Sequence, residues 1–383
     1  MTAADLLYSD TERELAAALA DLLAERAAPD DVLARTEKTE TYDAGLWHAV
    51  AADIGLAGLL IPEPLGGAGA SYRELAAAAE QFGASVAPIP YLGSAAVATA
   101  ALLSAVKAGS PAAADLLRRM ADATVTVALA VEFPARTGGR RPAAVRVAGT
   151  QPGDGAGITR LRGTVKSVAD ALPAEVLLVP AEGVPYCLYL VEGTAPGLHR
   201  TPLVSLDMTR QLCEVSLDGT PARQLAIGDA AAEAVDAGLT AGAVVIAAEQ
   251  LGLAQRCLDM TVAYVKERRQ FARPVGSFQA LKHRLADLWT TITMARAASR
   301  YAASCLASGD PDAPVAVALA KSACCDAAVT AAQECVQLHG GIGFTWEHPA
   351  HLYLKRAKVS SIAFGTPGEH RAALANLVNL PAP

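Results

Sequence analysis

Aromatic residues are scarce: Phe, Trp and Tyr make up 5% of the 383 residues, while much of the 52% hydrophobic fraction is alanine. Alanine is the best helix former, so this balance predicts a mostly helical protein of thin, closely packed helices and excludes intrinsic disorder. Positive charge is not in excess. Lys+Arg is 32 against 39 Asp+Glu, a net charge of −7, which argues against a nucleic-acid binder or a reader of anionic membranes. The seven cysteines are odd in number and include no CxxC pair. Buried, reduced thiols in a cytoplasmic protein are therefore expected, not a disulfide or zinc framework. Met1 to Asp10 has no basic n-region and no apolar h-region, so no secretory signal is read there. No run of ~18 apolar residues is free of charge, Gly or Pro, which argues against a membrane span. Also absent are GxGxxG in a βαβ setting, a P-loop, GxSxG and HExxH. His339, His348 and His351 with Glu347 straddle a Gly-Gly break and Pro349, so they share no helical face and no metal site is expected.

What is present changes character twice along the chain, and the length allows two to three domains. Residues 1–122 read as helices, with Leu15, Leu19, Leu22 and Leu23 on one face and Ser71 with Glu74 forming a capping box. Residues 123–228 carry short apolar runs such as Val176–Val179 and Cys187–Val191, with no helical text between them. That pattern predicts an antiparallel β-domain, a barrel or sandwich. Residues 229–383 return to the helical period, with helices expected near 230–264, around Leu281–Leu288 and over Pro314–Leu338, as in a four-helix bundle. The last of these is apolar around most of its circumference. It must be buried on several sides.

Two segments carry chemistry. In the first, Lys266, Arg268, Arg269 and Arg273 gather at a helix end before a Pro-Val-Gly loop and a new helix. Such a cluster suits a pyrophosphate, and equally a solvated basic turn. In the second, Gly340-Gly341-Ile342-Gly343 follows a helix. It allows a ligand to approach the backbone closely, or simply stops the helix.

Together these residues resemble the acyl-CoA dehydrogenase family along essentially the whole chain. The resemblance rests on Glu267-Arg268-Arg269-Gln270-Phe271, Gly276-Ser277-Phe278-Gln279, Gln337-Leu338-His339-Gly340-Gly341-Ile342-Gly343-Phe344, and Ile61-Pro62-Glu63 before Gly66–Gly69. It implies N-terminal helices, a middle β-domain and a C-terminal four-helix bundle. It also implies noncovalent FAD, an acyl-CoA or acyl-carrier substrate, and an electron-transfer flavoprotein or similar acceptor. A dimer or dimer of dimers is implied too, with flavin across a subunit interface and a second chain as the cover of the apolar helix Pro314–Leu338. By position, Arg268 resembles the arginine that meets the FAD pyrophosphate, and Phe271 the aromatic at the adenosine half. Gln279 resembles a glutamine of the flavin site, and Gln337, Gly340 and Gly341 a segment lent by the neighbouring subunit. Thr366 resembles a threonine near the adenine. The family's glycine after the Phe is Ala272 here.

The departures touch the reaction itself. Removing the proton alpha to the thioester needs a general base. The family's two positions for that glutamate correspond to Phe364 and Gly242. The hydroxyl that would face flavin N5 is lost at Ala169, and Pro134–Gly139 replaces the family's Thr-Glu and Gly-Ser-Asp stretch. Glu249, seven residues after Gly242, is the substitute base to consider, although an ordinary paired carboxylate is the preferred reading. Asp170 and Glu369 are weaker candidates, expected in a turn and towards solvent. Two functions follow: an FAD-dependent oxidation of an acyl thioester to the 2,3-enoyl product with a relocated base, or a base-less subunit paired with an active paralogue. Paired subunits of that kind occur in bacterial relatives that handle steroid side chains.

Overall fold

A computed structural model describes residues 6–38, 40, 42–151 and 158–380. The first five residues, part of the stretch read above for a leader, lie outside these. The N-terminal region comprises α1 (Asp10–Arg26), α2 (Pro29–Thr36), α3 (Ala44–His48), α4 (Tyr72–Ser85), α5 (Thr99–Lys107) and α6 (Pro111–Ala121). Ser9 with Glu12 and Ser71 with Glu74 close capping boxes on α1 and α4. Glu12 also pairs with Arg73 at 2.6 Å, which ties the two helix starts together.

Strands β1 (Val127–Leu129), β2 (Val145–Gln151), β3 (Ile158–Ala169), β4 (Val176–Ala181), β5 (Cys187–Glu192), β6 (Leu198–Pro202) and β7 (Leu212–Ile227) follow. They form one sheet in the order β1-β4-β5-β7-β3-β2, with β6 also on β7. The sheet is mixed, not purely antiparallel as the sequence suggested, because β1 runs parallel to β4. All three β1 residues are buried, the two-sided burial that parallel pairing favours. The sheet curls around its own core, which includes Leu161, Val165, Leu177, Val179, Val191 and Val215. It does not close into a barrel, since β1 and β2 end the strand order.

The C-terminal region comprises α7 (Asp229–Glu267), a hairpin of β8 (Arg269–Gln270) and β9 (Arg273–Pro274), then α8 (Gln279–Ser308), α9 (Ala313–His339), α10 (Ala350–Ile362) and α11 (Pro367–Leu377). Helix α9 packs against α7, α8, α10 and α11 of its own chain. Its apolar circumference is thus covered internally, which corrects the expectation that a second chain must do so. Length and hydropathy would let α7 and α9 cross a bilayer, yet 72% and 67% of their most apolar windows are buried inside this protein. Both are core helices.

Helices α4 and α7 touch through a reciprocal pair of glycines. A Cβ on Gly83 would stand 1.8 Å from the Glu249 carbonyl, and one on Gly252 would stand 1.8 Å from the Glu80 carbonyl. Only bare backbone fits at this crossing. Gly83→Ala is therefore expected to destabilise the fold by about 1–3 kcal/mol through overpacking, against a helix-propensity gain of about 1 kcal/mol. A urea midpoint at or above that of the parent would contradict this packing.

Candidate functional site

Glu249 sits where three parts of the fold meet. Its carboxylate is fully buried. Arg356 of α10 grips it with two N–H groups, Nε on Oε1 and Nη2 on Oε2, each at 3.0 Å. Arg210, in the link into β7, donates to Oε2 at 2.5 Å. The Tyr91 hydroxyl, which precedes α5, and Ser360 Oγ of α10 donate as well. Burial pushes the Glu249 carboxyl up, but Arg210 and Arg356 outweigh it and hold the group well below the ordinary carboxylate range. Arg356 also meets Thr209 Oγ1 at 3.0 Å and Asp207 at 3.6 Å. A carboxylate this committed is a poor proton acceptor.

Phe364 stands about two helical turns away along α7. Its ring lies directly on Gly242: a Cβ at Gly242 would fall 2.5–2.7 Å from three atoms of that ring. The two base positions named from the sequence are thus one packed contact. Phe364 is buried, with φ of 51°. Its N–H donates to the Phe133 carbonyl at 2.8 Å, and its carbonyl lies 2.8 Å from His370 Nε2. The Phe133 and Phe364 rings meet edge-on at 5.8 Å, and Arg210 lies over the other ring neighbour, Phe133, at 5.7 Å. Lys321, fully buried, donates to the Gly365 carbonyl at 3.0 Å and to Ser360 and Ser361 carbonyls at 3.4 Å. The loop that carries Phe364 is therefore held from both sides.

The other candidates fall into place as follows. Asp170 is buried, with Oδ2 accepting the Gly93 N–H at 2.8 Å. It lies in a turn, as expected, and that turn is buried, so its carboxylate ties the β-domain to the N-terminal helices. Glu369 is exposed, and its carboxylate caps α11 by accepting from the Thr366 N–H and hydroxyl, each at 2.9 Å. Ala169 ends β3 beside Asp170.

The arginine-rich arm forms a separate cluster at the far end of α7. Tyr264 links its parts: its carbonyl accepts the Arg268 N–H at 2.9 Å, and its ring stacks on His339 at 4.5 Å, next to Gly340. Gln337 is exposed on the last turn of α9. Arg268 and Arg269 are exposed, and among the described residues no side chain pairs with either guanidinium. No heavy atom lies within 4 Å of a Cβ built on Gly340 or Gly341, so this backbone is open to a ligand. The unneutralised guanidinium groups and the bare Gly340-Gly341 backbone are each suited to a pyrophosphate. The sequence concealed the hairpin here. Phe271 and Ala272 form its two-residue turn with φ of 51° and 59°, the left-handed pair that such turns require and that glycine adopts most easily. Phe271 is 84% exposed and lies edge-on to Phe278 at 6.1 Å. Gln279 is exposed at the start of α8. Thr366 stands apart from this arm, at the N-cap of α11.

Comparison with known proteins identifies the family. Residues 9–124 match the model for the acyl-CoA dehydrogenase N-terminal domain, and residues 232–378 the model for its C-terminal domain. Acyl-CoA dehydrogenase IpdE2 of Mycobacterium tuberculosis is 34% identical over 92% of both chains. The chain belongs to the acyl-CoA dehydrogenase family. That family consists of oxidoreductases acting on CH–CH bonds, and its members imply a flavin cofactor. Among solved structures, the ChsE4-ChsE5 complex of Mycobacterium tuberculosis has a TM-score of 0.85 at 27% identity, covering 99% of this chain and 100% of that one. The Tcur3481-Tcur3483 steroid ACAD has a TM-score of 0.81 at 29% identity, covering 97% and 98%. Arg210, Arg356, Asp207, Tyr91 and Lys321 escaped the sequence reading. The contacts that join Tyr91, Arg210 and Arg356 to Glu249, and Lys321 to Gly365, span 39 to 158 residues along the chain.

Glu249→Gln should lower stability by about 3–5 kcal/mol, since it removes one of the two buried carboxylates that balance two buried guanidinium groups. The pH dependence follows from the sign of the shift. With its folded pKa depressed, Glu249 stabilises the fold above the unfolded value of about 4.3, and this contribution is lost as pH falls below it. The stability gap between parent and variant should therefore narrow on acidification below pH ~4. A gap that widened with acid would contradict this ion-pair assignment.

Proposed function

We propose that this chain is the base-less subunit of a hetero-oligomeric acyl-CoA dehydrogenase. The observation that carries this reading is the Phe364 ring packed on Gly242, which leaves neither base position able to take a proton. The engagement of Glu249 by Arg210 and Arg356 supports it, because the substitute base is already committed. In this reading Arg268, Phe271 and Gln279 hold the pyrophosphate and adenosine half of an FAD, Gln337 and Gly340-Gly341 are the segment lent to the neighbouring subunit's FAD, and Thr366 lies near the adenine. FAD, when bound, supplies the hydride acceptor. The residues present fit its phosphate end. They do not fit its ring end equally, since Ala169 offers no hydroxyl and Phe364 occupies the neighbouring space.

The paralogous partner supplies the glutamate, and the assembled enzyme converts an acyl thioester, CoA-linked in this reading, to its 2,3-enoyl product. Electrons leave to an electron-transfer flavoprotein or a similar acceptor. The likeness to a protein named as a steroid ACAD supports a bulky, polycyclic acyl group. The paired name of the ChsE4-ChsE5 complex supports a two-chain assembly. The exposed apolar side chains Phe271, Phe344, Trp346, Trp289 and Met294 give such a partner a surface to cover. A cytoplasmic location accords with the reduced, buried cysteines.

Co-expression with a glutamate-bearing paralogue tests the reading. Arg268→Ala in this chain should weaken FAD retention by the complex by about 1.5–3 kcal/mol. Phe364→Ala should leave turnover unchanged, while loss of the partner's glutamate should cost roughly 10²–10⁴-fold. Family-like turnover by this chain alone would overturn it.

A further inference from the structure

Lys321, in the middle of α9, is fully buried, yet among the described residues it forms no ion pair. Its Nζ lies 3.2 Å from Cys325 Sγ, one turn on along the same helix. It also donates to the Gly365 carbonyl at 3.0 Å and to the Ser360 and Ser361 carbonyls at 3.4 Å. Residues i and i+4 are neighbours on a helix face, so α9 itself holds the amine and the thiol together. Cys325 is equally buried, and its sulfur lies 3.9 Å from the Ser360 carbonyl. The adjacent Cys324 points elsewhere, its thiol donating to the Ala295 carbonyl of α8 at 3.4 Å. One turn before Lys321, Val317 and Ala318 line a cavity of about 580 Å³, which gives a small oxidant an approach to the pair.

A nitrogen held against a cysteine sulfur can trap the oxidised sulfur as a sulfenamide. We propose that Lys321 and Cys325 form a redox modification site that closes to an S–N bridge when hydrogen peroxide reaches it. In the first step Cys325 Sγ takes one peroxide oxygen. The O–O bond breaks, the sulfur is oxidised to S–OH, and the other oxygen leaves as water. Lys321 then gives up a proton, and its Nζ lone pair attacks Sγ. The S–O bond breaks, and the hydroxyl leaves as a second water with a proton from the nitrogen. Burial pushes the Cys325 thiol up, and Lys321 offsets only part of this. The reactive thiolate is therefore a minority form, and closure needs an excess of oxidant.

The bridge has a structural consequence. An ammonium offers three N–H donors, whereas a sulfenamide nitrogen keeps one. Closure thus frees most of the carbonyls that Lys321 holds at Ser360, Ser361 and Gly365, the backbone on either side of Phe364. The inference is independent of the base-less reading, which invokes neither group.

Peptide mapping tests it. The purified, FAD-supplemented chain is treated with excess hydrogen peroxide, alkylated, digested with trypsin without reductant and read by mass spectrometry. The expected product is a peptide left uncut at Lys321 and short of two hydrogens, which regains the cut after dithiothreitol. Hydrogen exchange of the intact bridged chain should speed about tenfold or more at the amides around Phe364, as for loss of a hydrogen bond to a charged group. Lys321→Arg should let Cys325 run on to the sulfinic acid, and Cys325→Ser should keep the cut after peroxide. If either variant fails to fold, the map of the parent chain decides. A parent still cut at Lys321 overturns the proposal, whether Cys325 is then found reduced, as sulfinic acid or joined to Cys324. So does an uncut peptide that has gained oxygen instead of losing two hydrogens. Unchanged exchange in the bridged chain overturns the consequence drawn for the Phe364 loop.

Discussion

The carboxylate of Glu249, clasped between Arg210 and Arg356, is the interaction on which the rest of the structure depends. It joins Tyr91 from the N-terminal helices, Arg210 from the β-region, α7 itself, and Arg356 with Ser360 from α10. Glu249 and Asp207 balance the two guanidinium groups, so the buried cluster carries no formal net charge. Buried charges are tolerated when paired and hydrogen-bonded, and losing one partner is far worse than never having had the pair. The backbone of the same residue lies at the glycine crossing of α4 and α7. A group bearing this much of the interior cannot move to meet a substrate proton.

That constraint reaches the reaction centre through contacts. Arg210 lies over the Phe133 ring, Phe133 meets Phe364 edge-on, and Phe364 rests on Gly242. Lys321 fixes the Gly365 carbonyl just beyond. Glycine at 242 and phenylalanine at 364 are complementary: a side chain on the first would collide with the second. The loss of a glutamate at both positions is therefore one coherent packing solution. The arginine-rich arm lies at the other end of α7 and takes no part in these contacts.

Much of this was legible in the sequence. Alanine-rich helical text gave α7 and α9 to within a few residues and the first turns of α8, because long apolar periodicity is a strong local signal. The family resemblance singled out the arginine-rich arm as the candidate cofactor site, since its motifs are contiguous. What stayed hidden was set by distance along the chain. The Tyr91–Glu249–Arg356 contacts span 158 and 107 residues. The parallel pairing of β1 with β4 depends on how a three-residue strand enters the sheet. The β8–β9 hairpin was masked because Ala272 takes a left-handed conformation that usually announces itself as glycine. The apolar helix α9 pointed correctly to burial, but composition does not say whether the covering helices come from the same chain.

The most direct measurement is exchange of the alpha proton of an acyl-CoA in heavy water, followed by mass spectrometry with the isolated, FAD-supplemented chain. Proton abstraction needs only the base and can be read without net oxidation. The account predicts no exchange above the uncatalysed background, and the same result for Glu249→Gln. Rapid alpha exchange by the parent chain that disappears in a folded Glu249→Gln variant would contradict it.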